Sequence, residues 1–426
     1  MKRSRIAAVV AGMAAQTAIM AGAQTPAVAP PPGEPQAAAA PQPAAAPFTA
    51  GWQDGFVLQS ANGENRLVLG VTAQTDGRFS LDDPLPITNT FTIRKARPTL
   101  SGRVAKYFDF KLMPDFGNGT AVLQDAYFDI RFSPKFRVRS GKDKTPIGYE
   151  LLQGDGYLMF PERTLASSLV PNRDVGFQVQ GDLSPRLSYA AGVFNGVPDA
   201  ASSTADVDAN NQKDLAGRVV WQPFRSTKTP AGGLNGLGFQ IGGSIGKQAG
   251  TLPSFRTSVG QTYFSYAIGS AASGDRRRIT PAVFYYYKAF GAFGEYVRST
   301  QKIARSNSTS EISNDGWEIT GSWLLTGEPA SDRGVRPTHV FDPATGHWGA
   351  LQVAARYSQL RVDPLAFTNG LAAATASRTG SAFTVAANWY PAAFLKYYAT
   401  FERTSFDGGA SRPTENVILI RAQVAF

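Results

Sequence analysis

The sequence contains no cysteine and only two histidines among its 426 residues. The missing thiols exclude disulfides and thiolate metal sites, and His339 and His347 lack the spacing of a zinc site. No metal or cofactor is therefore predicted. Charged residues make up 17% of the chain, which is low for a globular surface, whereas glycine (43 residues) and aromatic residues (11%) are frequent.

Long apolar runs are also missing beyond the first 23 residues. The nearest approach, residues 381–395, is interrupted by Asn388 and Pro391, whereas a membrane-spanning helix needs about 20 apolar residues. The remainder of the chain is therefore not predicted to cross a membrane as helices.

The N-terminus has the composition of a secretory signal peptide, which we place at residues 1–23. A cationic start at residues 2–5 precedes an apolar stretch at residues 6–20 and an Ala-Gly-Ala cleavage site ending at Ala23. The alternative, a membrane anchor, needs a longer apolar run and different flanks. Cleavage removes three cations and lowers the formal net charge from +10 to +7, so the mature chain stays basic.

A second N-terminal segment, residues 24–51, consists almost entirely of alanine, proline and glutamine. This composition predicts an extended linker without a core of its own. No further break in composition follows, so residues 52–426 are predicted to form one domain. Its 375 residues are many for a single soluble domain but ordinary for a large barrel.

Apolar and polar side chains alternate in sixteen segments of this domain, which predicts strands with one apolar and one polar face. Tight turns at 133–134 and 184–185 alternate with long connections such as 145–172 and 249–276, as in outer-membrane barrels. We therefore expect an all-β fold, a transmembrane antiparallel β-barrel of about 16 strands with inward-folded loops. The predicted strands are 66–79, 91–105, 107–116, 121–132, 135–144, 173–183, 186–195, 213–224, 237–248, 277–289, 291–302, 314–325, 347–362, 380–391, 393–406 and 415–426.

The last segment supports this interpretation, because alternating apolar residues from Ile418 onward end in a terminal phenylalanine, Phe426. Such an ending is similar to the assembly signal of bacterial outer-membrane barrels. The alternative is an ordinary soluble strand at the end of the chain.

Many of the segments carry a cation on the face opposite the apolar one. A charge at lipid depth costs about 2–4 kcal/mol, so these side chains are expected to face the lumen, where a surplus of cations concentrates anions. The guanidinium fork of arginine matches phosphate or carboxylate oxygens. In the alternative, neighbours such as Asp109 and Glu402 neutralise the cations and leave an unselective lumen. The predicted pore-lining cations are Lys95, Arg97, Arg103, Arg131, Arg137, Arg139, Lys142, Lys144, Arg173, Arg218, Arg356, Lys396 and Arg421.

Two connections do not suit a solvated surface. Residues 145–172 are long and rich in apolar side chains, and we predict that they fold into the barrel and narrow it. Residues 326–346 are long although they fall on the side of the short turns. Either the strand count is off by one, or this turn enters the lumen.

Two positions within strands predict β-bulges. Pro98 has no N–H for a strand ladder, so we expect a bulge there. Lys142 and Lys144 have the parity of the apolar residues, and a bulge at Gly141 would return both to the lumen.

Signals for an enzyme are weak, and none is predicted. Residues 242–246, GGSIG, match the nucleophile motif G-x-S-x-G, but this motif needs a strand–turn–helix context that the flanking strand pattern lacks. The arginine triplet Arg276–Arg278 suits contact with nucleic acid or lipopolysaccharide. A solvated strand end is the preferred interpretation, and no nucleic-acid partner is predicted.

Seven stretches spread over the domain carry a resemblance to a known family. They are DGFVLQSANGENRLVLGVTAQTDGRF (54–79), FTIRKARPTLSGRV (91–104), LQDAYFDIRF (123–132), RSGKDKTPIGYE (139–150), ERTLASSLVPNRDVGFQVQG (162–181), LTGEPA (325–330) and WGALQVAARYS (348–358). In combination they resemble the phosphate-selective porin O and P family of bacterial outer membranes. The resemblance implies a sixteen-stranded barrel, usually trimeric, with inward-folded loops, an arginine-lined anion path and a periplasmic turn that enters the lumen. This chain departs from many relatives by carrying only the Ala/Pro linker where they have a coiled coil.

The sequence thus predicts a passive porin of the bacterial outer membrane with a water-filled, anion-preferring channel. Its predicted partners are inorganic anions such as phosphate, outer-membrane lipid and lipopolysaccharide, and two further copies of itself in a homotrimer. The alternative function is a structural or adhesive barrel with a plugged lumen and no conductance.

Overall fold

Sixteen antiparallel strands close into a barrel, and a short N-terminal hairpin extends its sheet. The computed structural model describes residues 48–82, 87–203, 210–226 and 233–426. The strands among them are β1 (Phe48–Trp52), β2 (Phe56–Ser60), β3 (Arg66–Ser80), β4 (Thr90–Val104), β5 (Phe108–Asp115), β6 (Val122–Ser133), β7 (Phe136–Lys144), β8 (Arg173–Ser184), β9 (Leu187–Phe194), β10 (Asp214–Trp221), β11 (Leu237–Gly250), β12 (Phe255–Arg256), β13 (Thr262–Phe264), β14 (Ser270–Tyr287), β15 (Phe290–Arg305), β16 (Ser308–Leu324), β17 (Ala350–Arg361), β18 (Ser377–Ala392), β19 (Leu395–Gly409) and β20 (Glu415–Ala425).

Among the residues that the structure describes, helical structure is limited to short pieces within the connections. Two α-helices, α1 (Tyr149–Leu152) and α2 (Pro364–Thr368), and three 3₁₀ turns at Gly117–Gly119, Ala166–Leu169 and Gly233–Gly236 occur in the described ranges. None of these helices has the length and apolar composition needed to cross a membrane.

The barrel strands are β3 to β11 and β14 to β20, and each pairs with its neighbour along the chain. β20 closes the ring by pairing with residues 72–80 of β3. Residues 66–69 of β3 pair with β2 instead, so the hairpin β1–β2 covers an edge that would otherwise expose unpaired backbone groups. β12 and β13 form a separate small sheet in an outer loop.

All sixteen predicted segments coincide with barrel strands, so the fold class is confirmed. The largest difference is at β14, which begins at Ser270 rather than at residue 277. The hairpin is not among the predicted strands, and its first strand includes residues 48–51, which the composition assigns to the linker. The predicted signal peptide and the rest of the linker lie outside the described residues.

The outer surface of the barrel is apolar. Phe91 and Phe177, for example, are 75% and 66% exposed, and a soluble protein would not leave a continuous surface of this kind in water. Exposed aromatic residues concentrate at the end that carries the tight turns, the periplasmic end, as in the interfacial girdle of outer-membrane barrels. This group contains Tyr107, Phe108, Phe132, Phe136, Trp221, Phe290, Trp323, Trp348, Phe394 and Tyr397.

The bulge expected at Pro98 lies four residues earlier, so that prediction was wrong in position. The pairing of β3 with β4 shifts between Ile93 and Lys95, and Arg94 is the extra residue. Pro98 needs no donor on its other side, because the ladder between β4 and β5 begins only at Leu100. The bulge turns Arg94 and Lys95 to the same side of the strand.

The bulge expected at Gly141 is absent, because the register of β7 with both neighbours runs through this residue without a shift. Glycine is needed there for another reason. Its φ is +124°, and a Cβ would lie 2.2 Å from the carbonyl oxygen of Ala126 on β6. Lys144 still reaches carbonyl oxygens of the following connection, and Lys142 donates to the carbonyl oxygen of Ser203.

Candidate pore and its charged wall

The connection between β7 and β8, residues 145–172, crosses the interior of the barrel and is called the pore loop here. The backbone N–H of Glu150 donates to the carboxylate of Glu295 on β15, at 3.0 Å. Lys396 of β19 donates to the carbonyl oxygen of Leu158, at 2.8 Å. Both contacts lie on the wall opposite β7 and β8, so the prediction of an inward-folded loop is confirmed.

Ion pairs fix the polar side of the pore loop. Glu162 is bound by Arg94 of β4 at 2.7 Å, by Arg78 of β3 at 3.1 Å and by Arg421 of β20 at 3.3 Å. Burial alone would raise the pKa of the Glu162 carboxyl, but these guanidinium groups, Arg94 first, bring it well below its usual range. The loop therefore docks through an ionised carboxylate that draws together three strands.

Asp155 forms a second anchor of the same kind. Its carboxylate is bound by Lys95 at 3.0 Å, by Arg163 at 2.7 Å and also by Arg97. Burial opposes ionisation here too, yet the surrounding cations hold the pKa of Asp155 well below its usual range. Three cations thus share one carboxylate at the edge of the loop.

The opposite side of the pore loop is apolar and fills part of the lumen. Its side chains pack against inward residues of β15 to β17 and against the outer loops that contain β12–β13 and α2, forming what we call the apolar filling. Burial of such surface stabilises the arrangement by about 25 cal/mol per Å². Its largest members are Ile147, Leu151, Leu165, Leu169, Phe255, Tyr263, Phe264, Ile303, Ile312, Leu360 and Leu371.

The long turn between β16 and β17 reaches the pore loop from the periplasmic side. Val335 of this turn is buried, and a Cβ at Gly334 would lie 2.9 Å from the ring of Tyr157 in the pore loop. Arg336 forms a bidentate ion pair with Asp54 of the hairpin β1–β2. The sequence allowed either a miscounted strand or a turn that enters the lumen. The strand count is correct, and the β16–β17 turn enters the lumen.

A cavity of about 1030 Å³ remains between these parts, and we call it the charged chamber. It lies between the pore loop, the wall formed by β4 to β8 and β10, the hairpin and the β16–β17 turn. Its acidic side chains are Asp54, Asp125, Asp143 and Asp155. Its basic side chains are more numerous: Arg97, Lys111, Arg139, Lys144, Arg173, Arg218, Arg333, Arg336 and Lys396.

A sequence profile of the family described as phosphate-selective porin O and P matches residues 69–426. The chain belongs to this family. No curated protein sequence matches it.

Solved structures similar to this porin are outer-membrane proteins. The outer membrane channel DcaP of Acinetobacter baumannii superimposes with a TM-score of 0.55 at 12% identity, over 87% of this chain and 99% of that one. An anion-selective porin from Comamonas acidovorans gives a TM-score of 0.53 at 12% identity, over 85% and 100% of the two chains. OmpT of Vibrio cholerae gives 0.53 at 12% identity, over 87% and 100%. At these identities the likeness shows the barrel fold, and membership of the porin family makes this barrel an outer-membrane one.

The thirteen predicted cations of this porin occupy different places. Three of them bind the pore loop without lining the charged chamber (Lys95, Arg356 and Arg421), and Lys142 meets an outer connection. Three lie nearer the periplasmic ends of their strands, namely Arg103, Arg131 and Arg137. Six come together around the charged chamber: Arg97, Arg139, Lys144, Arg173, Arg218 and Lys396.

Most of the predicted cations are neutralised locally. In the chamber, Arg173 binds Asp125 at 2.6 Å and Arg139 binds Asp129 at 2.7 Å. Arg218 differs, because it forms no hydrogen bond or ion pair with any residue in the described ranges.

Several interior cations lie outside the set predicted from the sequence. Arg94 faces the pore loop only because of the bulge, which a regular alternation does not reveal, and Arg163 lies in the loop itself. Lys111, inward on β5, follows the alternation between Phe110 and Leu112 and should have been included. Arg333 and Arg336 belong to the β16–β17 turn, for which the sequence allows two explanations.

The arginine triplet was interpreted incorrectly as a solvated strand end. Arg276 and Arg278 are only 1% and 4% exposed and both bind Asp214, at 2.6 and 3.1 Å. Arg277 alone points outward, where it pairs with Glu311. Alternation along β14 separates the three neighbours onto two faces.

The G-x-S-x-G match has no catalytic surroundings. Ser244 lies inside β11 and accepts a hydrogen bond from Arg278. His339 and His347 belong to the β16–β17 turn, where their rings stack with centroids 4.4 Å apart. Nucleophile and base therefore lie on different elements at different levels of the barrel, without the mutual hydrogen bond of a hydrolase.

Proposed function

We propose that this protein is a passive, anion-preferring porin with its diffusion path through the charged chamber. The observation that carries the proposal is the charge of the chamber lining, nine basic against four acidic side chains. In a water-filled cavity with low-dielectric walls, this surplus raises the local concentration of anions and lowers that of cations. Family membership and the anion-selective porin among the similar structures support the same conclusion.

The mechanism requires no conformational step. A hydrated anion passes between the edge of the pore loop and the wall of β4 to β10, while the apolar filling closes the rest of the cross-section. Because most cations are held by carboxylates such as Asp125 and Asp129, no site binds the anion tightly enough to trap it. Passage then follows the concentration gradient.

The oligomeric state and the lipid contacts of the barrel are part of the same proposal. A homotrimer is supported by the family and by a similar structure, an OmpT of Vibrio cholerae, described as a trimer form. Lipid covers the apolar outer surface of the barrel. Exposed cations on the outer face, such as Arg277 and Arg361, suit the phosphates of lipopolysaccharide. Residues 1–23 serve as the export signal.

Reversal potentials in planar bilayers test the proposal. With a tenfold KCl gradient, an anion-preferring channel shifts the zero-current potential towards the chloride equilibrium value, and a neutral lumen leaves it near zero. A zero or cation-directed shift would contradict the proposal.

A plugged structural barrel is the second candidate, because the apolar filling and the β16–β17 turn enter the lumen from both ends. The same bilayer experiment separates the two functions. A plugged barrel gives no current steps even when its correct folding is verified on a gel.

A further inference from the structure

Charged side chains point outward from one wall of the barrel, in the half farther from the periplasmic end. On β15, Arg298 stands between Val297 and Ser299, which are buried, so Arg298 faces outward. Strand pairing places Arg298 beside Asp315 of β16, and Asp315 beside Arg361 of β17. Partners in register share a face of the sheet, so these three charged side chains form a row across the outer surface.

A second row lies two residues farther from the periplasmic end. Arg277 of β14 pairs in register with Thr300 of β15, and Thr300 pairs with Ser313 of β16. The hydroxyl oxygens of Thr300 and Ser313 are 2.8 Å apart. Arg277 and Arg298 occupy diagonal positions on neighbouring strands, roughly 7–8 Å apart and within reach of long side chains. We call Arg277, Arg298, Thr300, Ser313 and Arg361 the outer cationic patch.

The outer cationic patch has more cations than carboxylate partners. Arg277 is bound by Glu311 at 3.2 Å, and both side chains are about half exposed. Arg361 is bound by Asp315 at 2.7 Å. Ion pairs with this exposure to solvent are weak, so an anion of higher charge can compete for the arginines. Arg298 forms no hydrogen bond or ion pair with any residue that the structure describes, although Asp315 is its partner in register.

The outer cationic patch lies at the level expected for lipid head groups. Phe290 and Trp323 pair in register among the aromatic residues of the periplasmic end. Eight residues of β15 separate Phe290 from Arg298, which is roughly 26 Å along the strand and roughly 20 Å in height at the usual tilt. Two residues closer to the periplasm than Arg298, Tyr296 pairs with Trp317, as in the second aromatic girdle of an outer-membrane barrel. Because the apolar band of such barrels is about 25 Å tall, the patch stands at its outer edge.

The wall formed by β8 to β10 is different at the outer ends of its strands. Phe177 of β8, Val193 of β9 and Leu215 of β10 point outward there and are exposed. A merely solvated rim would carry charge on this side as well, so the patch is a local feature of β14 to β17. The contrast also argues against a second copy of the chain as the occupant, because this wall would bring apolar side chains against the cations.

We propose that the outer cationic patch binds the phosphate groups of lipopolysaccharide in the outer leaflet. The inference rests on the outer-membrane setting of the proposed function and assigns its lipid contact to these residues. A guanidinium fork binds two phosphate oxygens at once, and the hydroxyl groups of Thr300 and Ser313 can donate to others. A phosphate monoester carries about −1.5 to −2 charges at pH 7, so it attracts the arginines more strongly than a single carboxylate does.

Binding of fluorescent lipid A, the phosphorylated glycolipid of lipopolysaccharide, tests the patch. Fluorescence anisotropy follows its titration with the folded porin in detergent, and unlabelled lipid A, dephosphorylated lipid A and inorganic phosphate are the competitors. We expect saturable binding that unlabelled lipid A displaces. Dephosphorylated lipid A should compete about tenfold more weakly, because the charge-assisted hydrogen bonds to phosphate are lost. Inorganic phosphate should also compete weakly, because it gains no contact with the apolar surface below the patch.

Two substitutions at one residue separate the patch from the net charge of the protein. Arg298→Gln removes the cation that has no carboxylate partner, and Arg298→Lys keeps the charge but loses the fork. We expect the Kd for lipid A to rise about tenfold in the first variant and about threefold in the second. Lys135→Gln is the matched control, because it removes the same charge from the exposed turn between β6 and β7 at the periplasmic end. It should bind lipid A like the wild type, and Arg298→Gln should keep the wild-type reversal potential in KCl.

The failures of the two proposals are distinguishable. Wild-type affinity in Arg298→Gln, or equal competition by dephosphorylated lipid A or inorganic phosphate, overturns the lipopolysaccharide site alone. An altered oligomeric state of Arg298→Gln, measured by light scattering in detergent, would assign this face to a contact between copies and also overturn the site. Absence of anion preference in the wild type overturns the proposed function alone. Unheated and heated samples of each variant on a gel verify that the barrel has folded.

Discussion

A cation inside this barrel has two different effects, depending on whether it has a carboxylate partner. Paired cations such as Arg173 organise the interior, because a buried charge is costly unless it is matched and hydrogen-bonded. Only the remaining cations shape the electric field felt by a passing ion. The number of inward arginines alone therefore overestimates the anion selectivity of the lumen.

Asp155 offers a direct test at the residue scale. Asp155→Asn removes the charge that Lys95, Arg97 and Arg163 share, so the edge of the pore loop becomes more positive. We expect the anion-to-cation permeability ratio to rise, by about twofold for one elementary charge in a focused field. Reversal potentials in a KCl gradient measure it.

The control for this substitution is Asp315→Asn, which removes an outward carboxylate paired with Arg361. It should leave the ratio unchanged. An equal rise in both variants would mean that net charge, and not the chamber, sets the selectivity.

Alternation along the strands identified many inward side chains but not their partners. The parity of β20 places Arg421 inside, yet its partner Asp76 is 345 residues away and is reached only when the barrel closes. Arg94 was missed because a single bulge inverts the alternation. Pairings of this kind depend on register and on loop paths, which local periodicity does not contain.

At the scale of single elements, the pore loop combines a structural face with a pore-facing edge. Ile147, Leu165 and Leu169 belong to the apolar filling, whereas Gly154 to Tyr157 border the charged chamber. The two roles occupy different parts of the loop. Shortening the edge at the glycines beside Asp155 should therefore keep both ion-pair anchors, Asp155 and Glu162, in the loop.

We expect deletion of Gly154 and Gly156, which keeps the Asp155 carboxylate, to raise single-channel conductance and reduce anion preference together, because the passage widens and its charges move apart. Current steps in planar bilayers measure both quantities. Tyr157→Ala keeps the chain length and serves as the comparison, with a smaller rise in conductance. An unchanged conductance after the deletion would place the narrowest point elsewhere, first at the β16–β17 turn.

The end of β20 and the hairpin β1–β2 form a second functional element. Phe426 exchanges backbone hydrogen bonds with Val71 at 2.9 and 3.0 Å, and its ring lies 5.0 Å from that of Trp52 and 6.0 Å from that of Phe56. In the folded barrel, the hairpin β1–β2 thus packs against Phe426, the residue expected to act as the assembly signal. Its roles in assembly and in stability can be separated.

Phe426→Leu should lower the amount of barrel assembled in the outer membrane, because the terminal aromatic residue is the feature expected to be recognised. Trp52→Ala should leave assembly unchanged and lower the stability of the folded barrel by about 1 kcal/mol, the value of an aromatic pair beyond its buried area. Membrane fractionation and urea unfolding measure the two effects. Equal assembly defects in both variants would show that contact with the hairpin, rather than recognition of Phe426, matters.

At the scale of the whole molecule, the barrel could be predicted because each strand repeats the same two-residue pattern. Because sixteen segments show the pattern, an error in the bounds of one strand, such as the late predicted start of β14, does not change the predicted fold. The division of the lumen into an apolar filling and a charged chamber was foreseen only for the pore loop. The contributions of the β12–β13 loop and of α2 depend on long connections whose paths carry no periodic signal.

The closed ring itself leads to the last prediction. Each barrel strand is paired on both sides, so unfolding has no free edge from which to start, and kinetic stability should be high. Unheated samples in detergent should therefore migrate differently from boiled ones on a denaturing gel. Ile420→Pro, on the outward face of β20 beside the closing pair with β3, removes a backbone donor within the ladder and should weaken the unheated species. Identical migration of boiled and unheated wild-type protein would contradict a closed barrel.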